Sequence, residues 1–235
     1  HNYEKFMSAT GLPPENASPC SPISLDVVIE RRSKYLIEYQ NVEYAKRYSD
    51  FVEIVQKMEH EKTGGSSELT RAVANALFKL MAYKDEYEVA RLYTSGEFEK
   101  KLRAQFEGHF RLKFHLAPPF LARRNPVSGE SEKREFGPWV FQVFKYLAKL
   151  KCLRGTALDF FGYTRERKIE QHLISAYKNT IKKVLGDLNT DNHDLAIEIA
   201  SLPHTIRGFG YVKERSLSQF EKKESELLAH FDHVK

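Results

Sequence analysis

The stretch ELTRAVANALFKLMAYKDEYEVARLYT, residues 68–94, decides the fold class of this chain. Its first half repeats apolar residues at the three- and four-residue spacing of a helix with one buried face. The same spacing continues through the second half, so the sequence predicts a single helix over residues 69–93. In that second half the predicted face changes from hydrocarbon to charges and a phenol, at Lys84, Tyr87, Glu88 and Arg91.

Two interpretations of this polar face are open. Lys84 and Glu88 are four residues apart, and Glu88 and Arg91 are three apart, so on a helix their charges can neutralise one another. Such a paired set can be buried as scaffold when each polar group is satisfied. The carboxylates could instead support acid–base chemistry, although they point in different directions around a helix. The sequence favours a polar seam or docking surface made of Lys84, Asp85, Tyr87, Glu88 and Arg91.

More helices are predicted on both sides of this stretch. Ser24 is positioned as an N-cap, and helical spacing then continues to about residue 60, with a break near Asn41. After Gly137 the helical pattern returns and extends to the C-terminal tail. KTGGSS, residues 62–67, interrupts the helices. We therefore predict a lead-in linker and helical segment over residues 1–66 and a helical domain with a small sheet over residues 67–235.

A change of period marks the sheet. In FRLKFHL, residues 110–116, apolar and polar residues alternate as in a strand with one buried face. A hairpin is predicted over residues 120–136, closed around Asn125–Pro126 and Gly129. The predicted fold class is therefore mainly α, a helical domain with a small antiparallel β-hairpin or three-stranded insert around residues 110–136.

Composition indicates a globular chain. Hydrophobic residues make up 41% and charged residues 29% of the 235 positions. No run approaches the roughly 20 apolar residues that span a bilayer, and the first residues resemble neither a signal nor a transit peptide. The two cysteines, Cys20 and Cys152, match no metal or redox spacing. We expect a cytoplasmic protein without a membrane partner.

The basic balance raises the question of anionic ligands. The net charge is +5 and the pI is about 9.0, but acids are interleaved with the bases and no RNA-binding or zinc-finger motif is present. Nucleic acid is therefore not an expected partner. In IRGFGY, residues 206–211, the glycines could bring backbone close to an anion, although a turn with positive φ is the favoured interpretation. The candidate anion-binding residues are Arg123, Arg124, Arg134 and Arg207.

Motifs for catalysis are missing from the sequence. Neither a phosphate-binding glycine loop nor a histidine pair with metal-ligand spacing occurs, and no serine or cysteine has the context of an activated nucleophile. We therefore predict no catalytic residue and no metal site.

Several long segments resemble one family. LMAYKDEYEVARLYT, FRLKFHLAPPFLARRNPVSGESEKREFGPW, LKCLRGTALDFFGYTRERKIEQHLI and IASLPHTIRGFGYVKE are similar to the C-terminal region of single-chain indolepyruvate ferredoxin oxidoreductases, members of the 2-oxoacid:ferredoxin oxidoreductases. The resemblance covers roughly residues 67–220. It implies a full-length enzyme that oxidatively decarboxylates an aryl pyruvate to an acyl-coenzyme A and reduces ferredoxin.

The resemblance also implies that this chain is a fragment. Family members bind thiamine diphosphate through a GDG…N motif, whereas here Gly186–Asp187 is followed by Leu188. Two isolated cysteines cannot supply the usual four thiolates of a [4Fe-4S] cluster. Both cofactors would lie upstream, so none is expected in this fragment, which would be inactive alone. Its implied partners are the other domains of the same polypeptide, coenzyme A and ferredoxin, in a full-length enzyme that is a homo-oligomer.

Three functional classes stay open at this point. The chain could be an accessory or assembly domain of the oxidoreductase, which the sequence favours. It could hold coenzyme A phosphates at Arg123, Arg124 or Arg207. An unrelated nucleic-acid-binding module is the least favoured class.

Overall fold

The structure is a computed structural model, and it describes residues 23–106, 111–116, 134–208 and 211–234. These residues form nine α-helices, two short 3₁₀ helices and two strands. The elements follow in the order α1 Leu25–Tyr39, α2 Val42–Thr63, α3 Glu68–Met81, α4 Glu86–Thr94, α5 Glu97–Gln105, β1 Phe114–Leu116, β2 Arg134–Phe136, α6 Val140–Lys149, a 3₁₀ helix Leu150–Leu153, α7 Arg165–Asp187, α8 His193–Ser201, a 3₁₀ helix Leu202–Thr205 and α9 Tyr211–His233.

The chain divides into two compact units. One, the sheet-bearing unit, contains residues 84–159, and the other, the all-helical unit, contains residues 24–83 and 160–235. The Gly64–Gly65 turn after α2, where the sequence suggested a boundary, connects two helices of the all-helical unit. Residue 66 therefore lies inside a unit and not between two.

One apolar core holds the all-helical unit together. It contains side chains from every α-helix of the unit, and its fully buried members include Leu36, Val52, Leu77, Ile181 and Ile199. Tyrosines in this core satisfy their hydroxyls with backbone carbonyls: Tyr177 donates to Ala200 at 2.8 Å and Tyr48 to Ala74 at 3.2 Å. Because the polar tip of each ring is satisfied, these large side chains can be buried at little cost.

Two helix ends of this unit are satisfied by side chains from other helices. Ser67 precedes α3 without a side-chain capping bond, and Glu59 of α2 replaces it by accepting from the backbone N–H groups of Leu69 and Thr70, each at 2.8 Å. Lys79 donates to three carbonyl oxygens at the end of the second 3₁₀ helix, those of Pro203, His204 and Ile206, at 3.0 Å each. These bonds satisfy terminal groups that have no partner inside their own helices.

The predicted break near Asn41 is confirmed. α1 ends at Tyr39, and the Asn41 side chain caps α2 by accepting from the Tyr44 N–H at 2.8 Å. Ser24 caps α1 in the same way, accepting from Val27 at 3.4 Å. Short polar side chains such as these accept hydrogen bonds from the first backbone N–H groups of a helix. Helix starts at such residues can therefore be predicted from the sequence.

The single helix predicted over residues 69–93 is wrong. α3 stops at Met81, and α4 begins only at Glu86 after extended backbone at Asp85. The Asp85 carboxylate accepts from the Glu88 N–H at 2.8 Å, so this residue is an N-cap and not a position on a continuous helix. Periodicity alone missed the interruption because a capping aspartate and three connecting residues happen to preserve the apolar spacing.

The sheet-bearing unit is built around an aromatic core. Tyr93 of α4 stacks on Phe144 of α6 with ring centroids 5.4 Å apart, and Phe114 of β1 meets both rings edge-on at 5.6 Å. Ala90 and Val140 complete the buried set. Each aromatic pair of this kind contributes about 0.5–1.5 kcal/mol beyond the burial of its area.

The fold class predicted from the sequence is confirmed. The described residues are mainly helical, with β1 and β2 paired antiparallel in the register Phe114 with Phe136 and Leu116 with Arg134. The strand is shorter than predicted, since residues 111–113 are not extended in a ladder. Of the hairpin predicted over residues 120–136, residues 134–136 form β2, whereas the turn around Asn125–Pro126 and the other arm lie outside the described residues. None of the helices in the described ranges combines the length and the hydrophobicity that a membrane span requires.

Candidate functional site

The polar residues of the opening stretch converge at the start of α4. Asp85 forms the centre: besides capping the helix, its carboxylate receives two hydrogen bonds from the Arg154 guanidinium, from Nε to Oδ2 at 2.5 Å and from Nη2 to Oδ1 at 2.8 Å. Both side chains are almost fully buried, at 2% and 3% exposure. A fork-to-fork contact of this kind is the strongest geometry that an ion pair adopts, and burial shields it from salt.

A second ion pair lies one turn further along α4. Arg91 donates from Nε to Oε2 and from Nη2 to Oε1 of Glu88, both at 2.8 Å. Glu88 is buried and Arg91 is largely buried. The predicted pairing of these two residues is confirmed, and so is the burial of Glu88. The reason for the burial of Glu88 differs from the predicted one. Glu88 does not lie on the same helix as Leu77 and Leu80, because α3 ends before α4 begins.

A phenol and a third carboxylate complete the arrangement. Tyr87 donates its hydroxyl to Asp159 Oδ1 at 3.1 Å, and the other oxygen of Asp159 accepts from the Gly155 N–H at 2.8 Å. The Arg154 guanidinium lies over the Tyr87 ring, 5.5 Å from its centroid. Burial, followed by the neighbouring Asp159 carboxylate, raises the pKa of Tyr87 well above its ordinary value of 10. The phenol is therefore a fixed hydrogen-bond donor at physiological pH.

Lys84 is the remaining charged member. It precedes the N-cap of α4, so it does not form the helical i,i+4 pair with Glu88 that the sequence suggested. Burial lowers the pKa of its ammonium group, and the Glu88 carboxylate raises it by less. Glu88 therefore acts on Lys84 through space although the two are not neighbours on one helix.

We call this set the charge cluster: Lys84, Asp85, Tyr87, Glu88, Arg91, Arg154 and Asp159. Three carboxylates face three cations, so its formal charges cancel. Every carboxylate oxygen of Asp85, Glu88 and Asp159 already accepts a hydrogen bond, from another member of the cluster or from the backbone N–H of Gly155. No group of three or more acidic, histidine or cysteine side chains in the described residues could hold a metal ion. The arrangement is that of a satisfied scaffold.

The sequence found five of the seven members and missed Arg154 and Asp159. These two lie in the turn after the first 3₁₀ helix, about 70 residues beyond their partners Asp85 and Tyr87, where Gly155 adopts a left-handed φ of 75°. Complementary charge was visible in the sequence LRGTALD, but nothing in local spacing says which distant charge it meets.

Two of the four candidate anion-binding arginines lie within the described residues. Arg123 and Arg124 lie outside the described residues. Arg134 is exposed on β2, opposite Leu116, in the sheet-bearing unit. Arg207 is exposed in the all-helical unit, where its backbone N–H donates to Ser216 at 3.1 Å. Its neighbour Gly208 has a φ of 86°, so the turn interpretation of IRGFGY is confirmed at that position.

Open surface grooves occur in both units. One, of about 510 Å³, lies between α5 and α6, with Phe98, Leu102 and Phe141 in its lining beside Arg103 and Lys145. Another, also of about 510 Å³, lies between α7 and α9, with Ile169, Leu173 and Leu217 in its lining beside Lys168 and Glu221. None of the residues that line either groove belongs to the charge cluster. The grooves and the polar network are therefore separate features.

A family model matches residues 25–226, which is most of the chain and includes the whole charge cluster. The chain belongs to DUF6537, a family of unknown function. The DUF6537 match spans parts of both compact units, so the two are described by one family model. No curated protein matches the sequence. No solved structure matches it either.

Proposed function

We propose that this DUF6537 chain is an accessory or assembly domain of a larger 2-oxoacid:ferredoxin oxidoreductase acting on an aryl pyruvate. In this proposal the domain performs no chemistry of its own. Thiamine diphosphate and the [4Fe-4S] clusters are held by other parts of the polypeptide, and ferredoxin and coenzyme A are partners of the full, cytoplasmic and homo-oligomeric enzyme. The contribution of the domain is structural.

The proposal rests on the charge cluster, in which the formal charges cancel and every carboxylate oxygen already accepts a hydrogen bond. An acid–base site needs a titratable group that is free to exchange a proton with a substrate. Here each carboxylate is already bound by an arginine, a phenol or a backbone amide, and Asp85 and Glu88 are almost fully buried. Groups held in this way fix the backbone geometry of α4 and of the turn at Gly155.

The resemblance adds a second line of support. LMAYKDEYEVARLYT and LKCLRGTALDFFGYT, two of the segments that are similar to the oxidoreductases, are the two that meet in the cluster through Asp85 with Arg154 and Tyr87 with Asp159. A set of long-range polar contacts between these segments accounts for specific residues at those positions without invoking catalysis.

A pair of measurements tests the proposal. The purified 235-residue chain should give no turnover with indolepyruvate, coenzyme A and an electron acceptor, and turnover above background would overturn the proposal. In the full-length enzyme, Glu88→Gln should lower the melting temperature and the yield of assembled enzyme, while the turnover of each cofactor-loaded molecule stays unchanged. A stable, loaded and inactive Glu88→Gln enzyme would place Glu88 in the chemistry instead.

Glu99→Gln is the matched control. Glu99 also pairs with an arginine along its own helix, Arg103 at 2.7 Å, but both side chains are at least half exposed. An exposed pair contributes only about 0–1 kcal/mol, so this variant should assemble and melt like the parent enzyme. Equal loss of assembly in both variants would mean that removal of any carboxylate, and not the buried network, is responsible.

A further inference from the structure

Helix α6 carries a second apolar face that the core does not use. Its inner face is buried through Val140 and Phe144. On the outer side, Trp139, Val143, Tyr146 and Leu150 are exposed by 61%, 47%, 70% and 45%. Single exposed apolar side chains are ordinary on a protein surface, but a continuous row of large ones marks an interaction site. We call this row the α6 stripe.

The spacing of the α6 stripe fits a helical partner. Its members follow one another at intervals of four, three and four residues, which is the a/d pattern of a helix–helix seam. At 3.6 residues per turn they fall within a sector of about 60°. A stripe this narrow matches the ridge of one opposing helix, whereas helices that insert into a membrane surface present a broad apolar face.

The charges around the stripe identify the chemistry of that helix. Between Glu135 and Asp159 the chain has no acidic residue, while Lys145, Lys149 and Lys151 lie on or next to α6. α6 and the residues that follow it are therefore basic, and Glu99 of α5 lines the same groove as Lys145. A partner helix with carboxylates beside its apolar ridge would pair with the lysines, and a lysine-rich helix would be repelled.

We propose that the α6 stripe is the docking site for an amphipathic helix of a partner protein that carries an apolar ridge flanked by aspartate and glutamate. Trp139 and Tyr146 are the principal contacts, since these residue types dominate the binding energy of interfaces. A second copy of this chain is a poorer occupant, because its own α6 supplies no carboxylate to pair with the lysines. The inference deepens the proposed accessory role but holds for any partner with such a helix.

A designed peptide probe tests the stripe directly. The probe is a three-heptad helix with leucine at its a and d positions and glutamate beside them, and its twin carries lysine in place of every glutamate. Trp139 is the single tryptophan of the chain, so its fluorescence reports coverage of the stripe. The glutamate peptide should bind the 235-residue chain and shift the Trp139 emission to the blue, more weakly as salt rises. The lysine peptide should bind at least about tenfold more weakly.

Variants on and off the stripe provide the control. Tyr146→Glu should weaken the glutamate peptide by about tenfold or more, because it places a charge in the centre of the contact. Leu158→Glu changes an equally exposed apolar residue of the same unit, 64% against 70%, and should have less than about a twofold effect. Lys149→Glu, which removes no apolar surface, should weaken the glutamate peptide and strengthen the lysine peptide.

Four results would overturn the inference. The two peptides could bind equally, or neither could bind. Sedimentation could show a dimer that Tyr146→Glu dissociates, which would make a second copy the occupant. Vesicles of phosphatidylcholine and phosphatidylserine could capture the chain through Trp139, with no binding of the glutamate peptide, which would make an anionic membrane the occupant. Each of these is separate from the oxidoreductase proposal, which is tested by turnover and assembly.

Discussion

Arg154 reaches across 69 sequence positions to bind Asp85 through two hydrogen bonds, both shorter than 3 Å. Asp85 also caps α4, so one carboxylate joins the start of a helix to the turn that follows the 3₁₀ helix. A buried charge is tolerated only while its partner is present, because desolvation of an ion costs several kcal/mol. The pair therefore makes the fold of the sheet-bearing unit depend on contact between two distant segments.

Arg154→Met should destabilise the sheet-bearing unit strongly. The substitution leaves Asp85 buried without its counter-ion, and breaking a buried pair on one side costs about 3–5 kcal/mol of unfolding free energy. Urea unfolding followed by far-UV circular dichroism measures the loss. Combining the change with Asp85→Asn should recover part of it, since the asparagine removes the unpaired charge and can still cap α4.

Arg103→Met is the control for Arg154→Met. Arg103 pairs with Glu99 at 2.7 Å, but the two side chains are 72% and 50% exposed. This variant should lose no more than about 1 kcal/mol. If Arg154→Met lowered the unfolding free energy as little as Arg103→Met, Asp85 would have to be solvated or neutralised by another group.

Tyr87→Phe should destabilise the chain by about 1.5–3 kcal/mol, since it removes one of the hydrogen bonds to the buried Asp159 carboxylate. The ring keeps its packing under the Arg154 guanidinium, so the loss isolates the hydroxyl. Tyr146→Phe, on the exposed face of α6, should change stability by less than about 0.5 kcal/mol. Thermal melts of both variants at neutral pH make the comparison, and equal melting temperatures would contradict a structural role for the Tyr87 hydroxyl.

Contacts between residues close together in the sequence could be predicted for this protein, whereas contacts between distant residues could not. Local signals predicted the helical segments, the cap at Ser24, the break near Asn41 and the Glu88–Arg91 pair, because each depends on residues three or four positions apart. The partners of Asp85 and Tyr87 could not be found in this way. Arg154 and Asp159 lie about 70 residues away, and only the folded chain brings them into contact.

The start of α3 shows the same limit. The sequence predicts this start to within one residue, because the helical spacing is local. The first N–H groups of the helix, however, donate to Glu59 of the preceding helix and not to the adjacent Ser67. A local pattern therefore places the helix start, whereas a tertiary contact decides which side chain satisfies it.

Glu59→Gln should remove an acid-sensitive part of the stability. Burial raises the pKa of Glu59, but hydrogen bonds from Thr70, His193 and Leu69 outweigh it and hold the pKa below its ordinary value of 4.5. When folding lowers the pKa of a carboxyl group, that group stabilises the protein at any pH above its pKa in the unfolded chain. The stabilisation is lost as the pH falls through the lower pKa of the folded chain. At neutral pH the variant should therefore lose about 2–3 kcal/mol of unfolding free energy. The difference in unfolding free energy between variant and parent should become smaller below pH 4.5.

Glu53→Gln, on the exposed side of the same helix, is the control for Glu59→Gln. The unfolding free energy of this variant should stay within about 0.5 kcal/mol of that of the parent at every pH. Urea unfolding across an acid-to-neutral series distinguishes the outcomes. A gap between the Glu59→Gln variant and the parent that stays constant through the acid range would show that Glu59 stabilises the unit by its shape and not by its charge.

Gly208→Ala should be more destabilising than Gly96→Ala, although both glycines have a left-handed φ, 86° and 84°. The backbone strain of placing alanine in that region costs each variant about 1–2 kcal/mol. At Gly96 the new methyl group meets no atom within 4 Å, whereas at Gly208 it would lie 2.5 Å from Val212 Cγ1 and 2.9 Å from Val212 Cβ. This overlap should cost about a further 1–3 kcal/mol in urea unfolding, and Val212→Ala should recover only part of it, because Cβ remains. Equal losses at the two positions would mean that the turn before α9 relaxes away from the contact.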